Sequence, residues 1–226
     1  VKYVRLHTLN DNGSPENRKQ VLRIGVTGGI GSGKSVVCSI LQECGIPLIE
    51  ADRLARILMV HDAILKYRII AEFGEHIYHA DGSLNRQAMA RIIFSNPDRR
   101  KQLEAIVHPR VISEVDRLLG DIDNAPYAVV EAALIYEAGL DRNLDYIIVV
   151  DADERLRIAR IHERDGTAGE EIRQRMNAQM STKEKRKRAD FTIINNGTFA
   201  ELRKQVLFVH TILIGLARRI QKGEIE

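Results

Sequence analysis

Cysteine is scarce: Cys38 and Cys44 are the two in 226 residues. That is too few for a disulfide framework, and neither their spacing nor their neighbours suggest a metal site. They read as buried or half-buried thiols in a reducing compartment. No apolar run approaches the roughly 20 residues that a membrane helix requires. The opening Val1-Lys2-Tyr3-Val4-Arg5-Leu6 has no apolar centre of a signal peptide. A cytoplasmic protein with no membrane partner is the expectation. Neither sign of charge dominates, since 34 basic against 31 acidic side chains leave +3, too little to argue for nucleic acid as partner. Internal repeats and low-complexity tracts are missing as well. What remains is 44% hydrophobic and 29% charged, an ordinary balance in a chain long enough for one α/β core and a small appended lobe.

The densest signal is Gly28-Gly29-Ile30-Gly31-Ser32-Gly33-Lys34-Ser35, which fits the phosphate-loop pattern G-x-x-x-x-G-K-[ST]. Its flanks are those the pattern needs. Val21-Leu22-Arg23-Ile24-Gly25-Val26 is short and mostly apolar, and Val36, Val37, Ile40 and Leu41 follow at helical spacing until Gly45. Glycines let backbone N–H groups turn inward, and a helix starting near Lys34 aims its positive end at the same point. The stretch is an anion cradle for a nucleoside triphosphate, with Lys34 reaching the β- and γ-phosphates and the Ser35 hydroxyl a ligand of Mg²⁺.

Around that loop the chain divides by pattern. Residues 7–20 are polar and rich in turn formers, an extension to which Val1–Leu6 adds an edge strand at most. Ile46–Ile49 reads as a second buried strand with Asp52 just past its carboxyl end, where open parallel sheets bind ligands. Asp52 there is a base toward an attacking hydroxyl, an outer partner of Mg²⁺ waters, or a helix cap. Residues 63–120 show only helices: Ala63–Phe73, Arg86–Phe94 behind an Asn85 cap, one from Asn96-Pro97 to Val107, and another after Pro109. His108 joins the last two and is as easily structural as a substrate contact. That run is too long for a single crossover and predicts a projecting lobe.

Tyr127–Glu131 and Asp145–Asp151 are strands that each end in a carboxylate, and the pattern does not choose between Glu131 and Asp151 as the residue supporting Mg²⁺. Arg157, Arg160 and Arg164 share one face of the helix that follows, suited to triphosphate oxygens. Thr167-x-x-Glu170 and Ser181-x-x-Glu184 read as capping boxes of two short charged helices, the composition of a mobile lid. The Lys183–Arg188 charge run reads as a solvated face, a nucleic-acid tag or lid charges closing over phosphates. Phe191–Ile194 is a fifth strand. The closing helix places Phe199, Leu202, Val206, Val209 and Leu213 at core spacing behind a Thr198-x-x-Glu201 capping box.

In this order the residues resemble the dephospho-coenzyme A kinase family over nearly everything from Arg23 to Leu213. The matching segments are Gly25-Val26-Thr27 with the phosphate loop, Asp52-Arg53-Leu54-Ala55-Arg56, Phe73-Gly74, Asp81-Gly82 with Arg86, Leu103-Glu104 leading to His108-Pro109, Leu134-Ile135-Tyr136-Glu137, Arg160 with Arg164, Gln179, Ala189-Asp190, and Asn195 before Gly197. The resemblance implies an α/β fold: a P-loop kinase-like five-stranded parallel sheet of order 2-3-1-4-5 flanked by helices, with a helical substrate lobe and a lid.

It implies ATP and Mg²⁺ as cofactors, and transfer of the γ-phosphoryl group to the ribose 3′-hydroxyl of dephospho-coenzyme A. Asp52, Lys34 and Arg160 are the implied catalytic residues. Gly29, Ile30, Gly31, Ser32, Gly33, Lys34, Ser35, Val36 and Asn195 bind ATP, with Asn195 near the adenine. Thr27, Asp52, His108 and Arg164 bind the acceptor. The expected division is 1–20 extension, 21–60 first part of the core, 61–109 substrate lobe, 110–164 second part of the core, 165–189 lid and 190–226 last strand and closing helix; a monomer is expected.

The chain departs from the family's usual residues at Glu50, Ala133, Val36 and Arg157, and its Met59-Val60-His61-Asp62 replaces a Glu-Pro-Gly turn. Another small-molecule kinase would share the core and lid but differ in the helical lobe. A nucleotide switch would need an Asn-Lys-x-Asp sequence, which this chain lacks.

Overall fold

The computed structural model describes residues 21–166 and 169–224. The N-terminal extension and Thr167, the first residue of one expected capping box, lie outside them. Five parallel strands form one sheet: β1 (Leu22–Thr27), β2 (Leu48–Glu50), β3 (Tyr127–Glu131), β4 (Tyr146–Asp151) and β5 (Phe191–Ile194), in the order β2-β3-β1-β4-β5. Every strand expected from the apolar runs is present, in the expected order. β2 starts two residues later than its pattern, because Pro47 has no N–H to give to a ladder and instead its carbonyl accepts from Val129 N at 2.8 Å.

Alternation along the strands sends side chains to two faces, and both faces are covered, which is why the strands read as continuous apolar runs. Ile24, Val26, Tyr127, Val129, Ile148 and Val150 pack on α1 (Lys34–Glu43) and α9 (Phe199–Gln221). Ala128, Val130, Ile147 and Val149 face the helices that follow β2: α2 (Ala51–His61), α3 (Ala63–Phe73), α4 (Arg86–Ser95) and α5 (Pro97–Gly120). The Tyr78 hydroxyl donates to Met59 O at 2.7 Å and ties the turn between α3 and α4 back to α2. α6 (Glu154–Asp165), α7 (Gly169–Asn177) and α8 (Thr182–Arg188) complete the chain between β4 and β5.

The caps behave as the sequence indicates in three places. Asn85 accepts from Ala88 N, Ser181 accepts from Glu184 N, and Thr198 and Glu201 form a reciprocal capping box. Four expectations are corrected. The two helices expected on either side of His108-Pro109 are one helix, α5, with Pro109 inside it. The buried stripe Val107, Val111, Val115 and Leu119 carries it through. Ala105, whose carbonyl loses its helical partner at Pro109, lies on the exposed side of the helix, open to solvent. Phe199 is 58% exposed and not in the core, because it is the first residue of α9, three residues before the buried stripe begins at Leu202. Val36 is also exposed, since α1 begins at Lys34 and turns that position to the crevice side. Asp52 is not the cap: it is the second residue of α2, with Glu50 at the N-cap.

Candidate active site

The carboxyl ends of β1, β2 and β3 meet in one crevice. Gly28 to Gly33 leave β1 and enter α1, with Gly33 in the left-handed region at φ 93°, where a Cβ would also collide with the Asn195 amide. The carbonyls of this loop are held by the protein. Gly28 O accepts from Lys34 Nζ at 3.2 Å, Ile30 O from Arg157 Nε at 2.9 Å and Ser32 O from Asn195 Nδ2 at 2.8 Å. Gly29 O accepts from Ser32 N, and Gly33 O from Val36 N and Val37 N. With the oxygens turned outward, the N–H groups of Gly31, Gly33, Lys34 and Ser35 have no acceptor among the described residues. Unpaired amides at a helix start are the donors an anion needs.

Lys34 is half-buried, and burial lowers its pKa while Glu131 and then Asp52 pull it back up. Glu131, at the end of β3, moves the other way: burial raises its pKa, and Lys34 opposes this. Glu131 therefore shares the electrostatic field of Lys34 and Asp52. Asp151, at the end of β4, is paired instead with Arg186 at 3.2 Å.

Asp52 stands exposed in the first turn of α2 and accepts from Ala133 N at 3.3 Å. The peptide after β3 is a hub, because the carbonyl of the same Ala133 accepts from buried Thr27 Oγ1 at 3.2 Å and from Lys185 Nζ at 2.6 Å. His108 is half-buried on α5 and its pKa is lowered by burial, with Glu104 and then Asp52 opposing. Thr27, Lys34, Asp52 and His108 are thus brought to one place.

The arginine face of α6 is divided. Arg157 is buried, holding Ile30 O with one nitrogen and Thr182 Oγ1 with another at 3.1 Å, so it braces the loop from behind. Arg160 donates to Asn195 O at 3.0 Å and keeps Nη1 buried with no partner among the described residues. Arg164 points away into an ion pair with Asp165 at 2.7 Å. Asn195 is fixed by its contacts to Ser32 and Arg160, holding the loop itself.

The charge run is corrected too. Lys185 is fully buried against Ala133 O and Glu137, while Arg186 and Arg188 are paired with Asp151 and Asp141. These residues tie α8 to the core, leaving the run neither a uniformly solvated face nor a set of free charges over the phosphates. Gln179 Oε1 accepts from Ile30 N at 3.2 Å, and Glu137 accepts from Met180 N at 2.8 Å. Lys185, Glu137 and the bracing role of Arg157 escape sequence reasoning: nothing in Lys-Glu-Lys-Arg-Lys-Arg distinguishes the one lysine that is buried. The Leu134–Glu137 and Gln179 matches to the family were the available signal.

A parallel sheet of this order, with a phosphate loop after its central strand and helical insertions beside it, defines a P-loop kinase. The family model for dephospho-CoA kinase matches residues 22–201. The chain belongs to the dephospho-CoA kinase family. It is 44% identical over 201 residues to a dephospho-CoA kinase of Chlorobaculum tepidum, covering 85% of this chain and 95% of that one. It is 39% identical to one of Geobacillus kaustophilus, covering 83% and 94%. Among solved structures, a Thermus thermophilus protein superposes with a TM-score of 0.75 at 35% identity, covering 86% of this chain and 98% of the other. The dephospho-CoA kinase of Campylobacter jejuni superposes at 0.63 with 27% identity, covering 90% and 98%. A shikimate kinase of Acinetobacter baumannii, at 13% identity and 0.53, shares the fold. Among the described residues no helix is long and apolar enough to cross a membrane.

Proposed function

We propose that the chain transfers the γ-phosphoryl group of ATP to the ribose 3′-hydroxyl of dephospho-CoA, the final step of CoA biosynthesis. The observation that carries this reading is the unpaired amide cradle of Gly31, Gly33, Lys34 and Ser35 opposite Asp52. The amides and Lys34 receive the triphosphate, with Lys34 exchanging Gly28 O for the β- and γ-oxygens. Asp52 accepts the proton of the attacking hydroxyl, and the Ala133 N–H that it now holds keeps its carboxylate oriented. The free Nη1 of Arg160 takes up charge that develops on the transferring group. Thr27 and His108 line the acceptor side.

Magnesium fits the donor set. No three His, Cys, Asp or Glu gather as a protein cage among the described residues, and Mg²⁺ at triphosphates needs only one or two protein contacts besides phosphate oxygens. Ser35 would supply a hydroxyl ligand, and Glu131, beside Lys34, would support the ion rather than Asp151, which Arg186 occupies. When bound, the ion neutralises charge on the β- and γ-phosphates.

The test is transfer from ATP with Mg²⁺ to dephospho-CoA beside adenosine, nucleoside monophosphates and pantothenate as competing acceptors. Selective turnover of dephospho-CoA is expected. Preference for another acceptor, with ATP still bound, would keep the phosphate loop and reject the acceptor.

A further inference from the structure

Beyond Asp52, α2 carries a second recognition feature. A cavity of about 350 Å³ opens between α2 and the start of α4, lined by Arg53, Arg56, Ile57, Val60, His61 and Arg86. Three arginines and a histidine contribute to it and no carboxylate does. Arg53 makes an exposed pair with Glu50 at 3.4 Å. Arg56 and Arg86 have neither hydrogen bond nor ion pair among the described residues. By contrast, Arg99, Arg110 and Arg117 of α5 are each paired with a carboxylate. Exposed arginines converging without counter-charge are what a planar, bidentate phosphate contact uses. The remaining wall, Ile57 at 46% exposure and half-buried Val60, is apolar.

We infer that Arg56 and Arg86 form the anchor for the 5′-diphosphate of the acceptor, with Ile57 and Val60 beside the chain that continues from it. This rests on the acceptor reading given above and sharpens it. The spacing supports the assignment. Asp52 and Arg56 stand at i and i+4, so they share a face of α2 little more than one turn apart, about 6 Å along the axis. In an adenosine 5′-diphosphate diester the ribose alone separates the 3′-oxygen from the first phosphorus, a span of about that one turn. A diphosphate on Arg56 and a 3′-hydroxyl at Asp52 therefore fall on one face of α2, at neighbouring turns. The cavity lies at the small end of ligand pockets, enough for a diphosphate and part of a chain. It also accounts for selectivity, because an acceptor without the diphosphate would bury nothing against these charges.

The experiment compares Arg56→Gln, Arg86→Gln and Arg56→Lys with the unaltered protein. Both arginines are exposed, so folding is expected to survive, and unchanged thermal unfolding checks this. The expected result is a rise of roughly 10- to 100-fold in KM for dephospho-CoA in each Gln variant. KM for ATP stays constant, and the preference for dephospho-CoA over adenosine falls by the same factor. Arg56→Lys, keeping charge without the fork, is expected to lie between. Unchanged KM for dephospho-CoA, or a parallel rise in KM for ATP, would overturn the assignment. A second arm separates this from failure of the acceptor reading: inorganic pyrophosphate is titrated into the ADP complex, whose phosphate loop is filled. Binding that both Gln variants lose supports the anchor even if dephospho-CoA proves not to be a substrate. Binding that they retain in full, or no binding to the unaltered protein, rejects it.

Discussion

The two walls of the crevice are built in opposite ways. On the donor wall, the carbonyls of Gly28, Gly29, Ile30, Ser32 and Gly33 are all occupied by donors from the loop, α6, β5 and their neighbours. On the wall proposed for the acceptor, Arg56 and Arg86 are unpaired among the described residues, and Ile57 is exposed. The donor wall is thus organised before any ligand arrives, which lowers the cost of binding a triphosphate in the reactive geometry. The acceptor wall holds its charges and apolar surface open, so its ordering comes with the ligand. In the proposed reading, discrimination between acceptors then rests on α2 and α4, and the chemistry on groups at the sheet's carboxyl edge.

If that contrast is right, the largest losses come from residues where the walls meet. Asp52→Asn is expected to lower kcat by roughly 10²–10⁴ with little change in KM for ATP. A loss below about tenfold in steady-state kinetics would make Asp52 a positioning group and move the base elsewhere. Lys34→Met removes the donor wall's mobile charge and is expected to cost roughly 10²–10³ in kcat, read by single-turnover transfer. Lys185→Met tests the link between the walls, since its ammonium holds the Ala133 peptide whose N–H orients Asp52. Loss of its charge-assisted bond to Ala133 O, together with its pairing to Glu137, predicts at least about a tenfold fall in kcat. A change confined to KM for ATP would instead assign Lys185 to the triphosphate.

The smallest effect belongs to the lobe's framework. Asp62 caps α3 through Leu65 N and pairs with Arg110. Asp62→Ala is expected to cost about 1 kcal/mol in denaturant unfolding. The Leu65 N–H, and then Arg110, hold the Asp62 carboxyl below the usual carboxylate range. Its contribution is therefore complete above about pH 4 and lost as pH falls through the lowered value. The stability gap to the variant should be constant near neutrality and close in acid; a gap that widens in acid would contradict the cap.

The donor wall was largely legible in the sequence because its determinants are local. Four fixed positions specify the loop, and apolar runs of five or six residues specify β1, β3 and β4. Asn85 and Thr198 announce their helices for the same reason. Where partners are distant in sequence, legibility fails. Lys185 is read only as one charge of a run that could be solvated, a nucleic-acid tag or a lid over phosphates until the chain folds back 52 residues to Ala133, and Arg157 is read as a phosphate contact until Ile30 is found against it. Pro109 looks like a break because local rules penalise it, yet the stripe from Val107 to Leu119 outweighs one lost bond on an exposed side. The proposed preference for Glu131 over Asp151 rests on Arg186, which pairs with Asp151 from α8, 35 residues along the chain.

The central claim is most directly tested by following the phosphorus itself. Unaltered protein, ATP, Mg²⁺ and dephospho-CoA are combined, and the product is read by phosphorus NMR and mass. One new phosphomonoester on the ribose 3′-oxygen, formed in step with ADP, is the predicted result. ADP formed without that ester, or a phosphate carried on any other oxygen of the acceptor, would contradict the placement of the 3′-hydroxyl between Asp52 and the phosphate loop.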